Sequence, residues 1–104
     1  MEQRAVKTRI PKVKGQSMDR TAELQRFCWQ YREKLTRRTP KDLREAALIE
    51  AAAIEAAQGD KLIAQCLTAH ICDRVLLDHM RLPMGRRQFY AAQRRFYTLL
   101  DEMR

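Results

Sequence analysis

The side chains best suited to chemistry with a polyanion cluster near the end of the chain, where Arg86, Arg87, Gln88, Tyr90, Arg94, Arg95 and Thr98 fall close together. Arginine grips guanine and glutamine grips adenine through paired hydrogen bonds in a major groove, and both also hold phosphate oxygens. On a helix Arg87 and Arg94 stand two turns apart on one face, within reach of one groove or its flanking phosphates. A second basic set lies near the start. Arg4, Lys7, Arg9, Lys12 and Lys14 are spread through a run with no amphipathic period, interrupted by Pro11 and Gly15. Such a run over residues 1 to 18 reads as a mobile arm that lies along phosphates or in a minor groove, or as a solubilising tail.

Other chemistries find less support. Cys66, His70, Cys72 and His79 supply four zinc-ligand types, yet no Cys-x-x-Cys pair is present, and cysteine commonly serves as a small buried hydrophobe. With Cys28 the thiols number three, at no disulfide-framework spacing, which predicts reduced cysteines and a cytoplasmic chain. There is no Gly-rich phosphate loop and no serine in a nucleophile turn, so the sequence predicts no enzyme, no cofactor and no metal. His70 is read as a core histidine with one hydrogen-bond partner, and His79 as facing a turn.

Lys and Arg number 21 against 13 Asp and Glu in 104 residues, a net charge of +8 that points to nucleic acid ahead of an anionic membrane. The charge is uneven. Residues 1 to 41 carry twelve basic and four acidic side chains, residues 42 to 78 three and seven, and residues 79 to 104 six and two. Three Gly and three Pro are too few for the turns of a sandwich or barrel, whereas helix formers abound. The expectation is an all-α domain of four or five helices over residues 19 to 104, with no membrane-spanning segment.

The elements follow from period and punctuation. Leu24, Phe27, Cys28, Tyr31 and Leu35 share one face of a first helix from about Asp19 to Arg37, with Trp29 read at the edge of the core. Thr39-Pro40-Lys41-Asp42 is a helix start, Gly59 a terminator and Asp60 the next cap, which places an alanine-rich packing helix from Pro40 to about Gln58. Between Lys61 and Met80 the apolar face changes phase, from Ile63, Cys66, Leu67 and His70 to Cys72, Val75, Leu76, His79 and Met80. One straight helix cannot bury both faces, so two are predicted, Asp60 to Ile71 and Asp73 to Met80. Pro83 then breaks helix, and Phe89, Ala92, Phe96, Leu99, Leu100 and Met103 form the apolar stripe of a last helix.

A short helix, a Pro-containing break and a longer helix with a basic outer face is the layout of a helix-turn-helix, here at about residues 72 to 103. The stretch containing Pro83, Gly85, Arg86, Phe89, Tyr90, Arg94, Arg95, Phe96 and Tyr97 resembles the C-terminal signature of small prophage and mobile-element proteins of Gram-positive bacteria. These are similar to the ArpU and RinA type of phage transcriptional regulator. The resemblance implies double-stranded DNA as partner and a role in phage gene control, with RNA polymerase and a second copy of the chain as further partners. The alternative is a non-catalytic helical module that binds protein or RNA.

Overall fold

The computed structural model describes residues 9–104, which fold as five α-helices with no strand. Helix α1 spans Met18–Trp29, α2 Tyr31–Arg37, α3 Pro40–Ala56, α4 Lys61–Ile71 and α5 Arg86–Met103. The alanine-rich α3 is the hub. Ala46, Ala52, Ala53 and Ala56 are buried along it with Ile49, and their small side chains let α2, α4 and α5 approach closely.

The expected helix starts form as read. Thr39 Oγ1 accepts from the Asp42 N–H at 3.0 Å, and the Asp60 carboxylate accepts from the Leu62 and Ile63 N–H groups at 2.9 and 3.2 Å. Gly59 takes φ 85°, and Gln58 before it already lies in the left-handed region at φ 56°. The Arg37 guanidinium, with help from Thr39, holds the Asp42 carboxyl down at about 2. A depressed folded-state value adds stability above the ordinary aspartate range and loses it as pH falls toward 2. Asp42→Asn should therefore flatten the acid limb of a melting-temperature profile between about pH 4 and 2. An unchanged acid limb would remove this contact as its source.

Two expected helices are altered. The first is split at Gln30, whose N–H reaches the Phe27 and Cys28 carbonyls, so that α1 and α2 replace one helix from Asp19 to Arg37. The expected stripe nevertheless faces inward, with Leu24, Phe27, Cys28 and Tyr31 buried. The helix from Asp73 to Met80 does not form. Arg74 turns left-handed at φ 58°, and the His70 Nδ1–H donates to the Val75 carbonyl at 2.8 Å, taking up an acceptor that a helix would need. What remains is a single 3-10 turn, Leu77–His79, in an irregular stretch over residues 72 to 85. A helix-turn-helix joins its helices by a turn of about 3–4 residues, so α4 and α5 do not have that layout and the predicted first helix is missing.

The arm is also revised. Arg4 and Lys7 lie outside the described residues, but Val13 is buried and Gln25 Nε2 donates to the Arg9 carbonyl at 3.1 Å. Gln16 Nε2 donates to the Tyr97 carbonyl at 3.3 Å, and Thr21 Oγ1 donates to Gln16 Oε1 at 2.6 Å. From Arg9 onward this segment covers the body. Deleting residues 1 to 16 is accordingly expected to lower the melting temperature, although none of them belongs to a helical apolar stripe. An unchanged midpoint by circular dichroism would return the segment to the role of a loose tail.

Among the described residues no helix is long and apolar enough to cross a membrane.

Candidate nucleic-acid interface

Helix α5 buries Phe89, Ala92, Phe96 and Leu100 as its period requires, and it packs chiefly on α3. The buried arc is rotated relative to the sequence stripe. Gln93 and Tyr97, expected on a flank, are buried, whereas Leu99 and Met103 are only half-buried. The cause is the cover laid down by residues 9 to 16, which periodicity within α5 cannot register.

The opposite face carries Arg87, Gln88, Tyr90, Arg94 and Thr98, all exposed. Arg86 and Arg95 are engaged elsewhere. Arg86 is ion-paired with Asp78, bracing the turn to the start of α5. Arg95 donates twice to the Ala56 carbonyl, at 3.1 and 2.8 Å, satisfying an orphan acceptor at the negative end of α3. Both remain exposed while holding these contacts within the fold.

The preceding segment meets this face. Arg9, Lys12 and Arg94 line one cleft, together with Arg74 from the turn after α4. Lys14, Arg94 and Thr98 line a shallower groove on the other side, where Glu55 of α3 brings one opposing charge. Arg9, Lys12 and Lys14 of the first predicted set thus lie beside Arg94 of the second. Among the described residues none of Arg9, Lys12, Lys14, Arg87 and Arg94 forms an ion pair. The first turn of α5 holds Arg86 and Arg87 and no acid, and Asp78 pairs with the first of them.

Nothing in the sequence pattern marks Arg74. Its guanidinium stacks on Trp29 at 4.5 Å from the ring centroid, while the indole N–H is buried without a partner. Trp29 does sit half-buried at the core edge. The candidate zinc ligands do not converge: Cys66 and Cys72 are buried, His70 is tied to Val75 and His79 is exposed, and among the described residues no three His, Cys, Asp or Glu side chains gather to hold a metal. No family model, curated protein or solved structure matches the chain.

Proposed function

We propose that the protein binds double-stranded DNA through the surface formed by residues 9 to 14 and the outer face of α5. The observation that carries this reading is the set of five cations on that surface, Arg9, Lys12, Lys14, Arg87 and Arg94, with no ion-pair partner among the described residues. Unpaired cations gathered on one side neutralise phosphates and release counterions, which is the main source of affinity for a duplex. Because residues 9 to 16 cover the middle of α5, base reading in a major groove falls to its first two turns, Arg87, Gln88 and Tyr90, with Arg94 at the boundary. A place in transcriptional control of a mobile element follows from the resemblance of residues 83 to 97, with RNA polymerase or a second copy as additional partners.

The test is fluorescence anisotropy with duplexes of mixed and selected sequence across a salt series. Arg87→Ala should cost about 1–3 kcal/mol on a preferred site and relax the preference there, as expected for a base contact. Replacing Lys12 and Lys14 together with Ala should weaken all duplexes alike and reduce the slope of log affinity against log salt by about 0.9 for each phosphate no longer neutralised. Unchanged affinity and slope in both variants would overturn the interface. Tighter binding to single-stranded RNA than to the duplex would favour the RNA-binding alternative.

A further inference from the structure

The cleft between residues 9 to 12, the turn after α4 and α5 encloses about 480 Å³, within the range of small-molecule sites of roughly 300–1,000 Å³. Its lining is unusual in sign. Arg9, Lys12, Arg74 and Arg94 contribute four cations, and among the described residues no acidic side chain lines it. Such a lining suits an anion.

Its body can be specified further. Tyr90 at the mouth is 40 % exposed, leaving part of its ring open for a flat partner. Gln93 lines the same cleft, is 7 % exposed, and its amide makes no hydrogen bond among the described residues. That amide offers a ligand both a donor and an acceptor. Behind this wall the Tyr97 hydroxyl is fully buried without a hydrogen-bond partner, and burial raises its phenol well above the ordinary value. Apolar surface from Ile71 and Val75 completes the wall. An open aromatic face, an amide and four cations together suit a flat, hydrogen-bonding ring joined to a negative group.

We propose that this cleft binds a nucleotide, with the base against Tyr90 and the Gln93 amide and the phosphate among Arg9, Lys12, Arg74 and Arg94. An amide side chain makes two bonds with the adenine edge, so adenine is the preferred base. The same chemistry is offered by a free mononucleotide and by an unpaired base within a nucleic-acid strand. This ligand class rests on the nucleic-acid reading and narrows it.

The full chain is titrated with AMP, CMP and inorganic phosphate by calorimetry and by the fluorescence of Trp29, the single tryptophan, which Arg74 touches. In parallel, anisotropy compares a blunt duplex with the same duplex carrying an unpaired adenine overhang. AMP should bind at least about tenfold more tightly than phosphate and more tightly than CMP, and Tyr90→Ala and Gln93→Leu should each lose about tenfold in AMP affinity. Gln93→Leu should leave the blunt duplex unaffected. Tight AMP binding without an overhang effect assigns the cleft to free nucleotide, and an overhang effect with weak AMP binding assigns it to an unpaired base; either supports the proposal. Equal affinity for phosphate and AMP overturns it, as does the absence of any response to nucleotide or overhang. Full AMP affinity in Tyr90→Ala, whose exposed side chain is not needed for folding, overturns it even if Gln93→Leu unfolds. Loss of blunt-duplex binding in Arg87→Ala with AMP affinity intact shows that the cleft works without the base-reading turn of α5, and AMP binding in a protein that ignores duplexes would sink the DNA reading alone.

Discussion

Phe96→Ala is expected to unfold most of the molecule near physiological temperature. Phe96 is 1 % exposed, lies where α5 crosses the core, and meets the Tyr97 ring edge-on at 5.4 Å between centroids. Truncation removes buried apolar surface and leaves a cavity that the alanine-lined face of α3 has no long side chains to fill. Such changes cost about 3–5 kcal/mol, out of a total of roughly 5–15 kcal/mol for an ordinary domain. For a domain of this size each kcal/mol lowers the melting temperature by about 4–8 °C, so a loss of tens of degrees is expected by circular dichroism. Phe96→Leu, which keeps most of the volume, should lose far less. A variant that melts where the parent does would mean that α5 presents a different face to the core, and the assignment of Arg87 and Arg94 to the outside would fail with it.

The second large effect concerns a charge inside the fold. The Lys34 side chain is 4 % exposed; its ammonium meets Glu45 at 2.9 Å and Gln30 at 3.3 Å, and lies 4.9 Å from the centre of the Phe27 ring. Glu45, beside this ammonium, has its carboxyl held below the ordinary glutamate value. Removing the carboxylate strands a desolvated cation, so Glu45→Gln should cost about 3 kcal/mol. Lys34→Met behaves differently. It removes the cation that needed a partner and leaves Glu45, which is 21 % exposed, able to recover hydration; replacing a buried ionic group with an apolar one is often neutral or stabilising. The double variant should accordingly recover most of the stability that Glu45→Gln loses. Additive losses in urea titrations would show that the pair is not coupled.

The expected helix starts at Thr39 and Asp60, the terminator at Gly59, the apolar face of α1 and the Phe89, Ala92, Phe96 and Leu100 part of the α5 face were legible because each is written within a few turns of chain. Caps and stripes are local chemistry. The split at Gln30 was not legible, since the apolar spacing runs through it and the break depends on how α1 and α2 meet the rest of the core. Residues 73 to 80 carry an amphipathic pattern, yet Leu77 is buried where the pattern favours Leu76, and Leu76 is 42 % exposed. The His70 contact and the left-handed Arg74 decided that segment, and neither leaves a periodic signature.

The candidate surface was half legible. Exposure of Arg87, Gln88, Tyr90, Arg94 and Thr98 follows from the helix period, but the recruitment of Arg86 by Asp78 and of Arg95 by the Ala56 carbonyl depends on elements outside α5. Gln93 and Arg74 acquire their positions from the chain that folds around them. A lysine such as Lys34 in the middle of a basic stretch carries no sign that it will be buried.

The bonds from Gln16 and Arg20 to the end of α5 also bear on the order of assembly. Arg20 Nε reaches Asp101 at 2.7 Å and Gln16 Nε2 reaches the Tyr97 carbonyl, joining residues more than eighty positions apart. Helices α2, α3 and α4 are neighbours in sequence and can dock with short loop closures, whereas this clasp must close nearly the whole described chain. It is a contact to be made late in folding and released early in opening. Arg9 to Lys12 lie just ahead of Gln16 but are held independently, by the Gln25 bond to the Arg9 carbonyl and by the burial of Val13. Loss of the clasp alone therefore loosens the two ends of the described chain from each other while the cleft wall and the α3 core keep their own contacts.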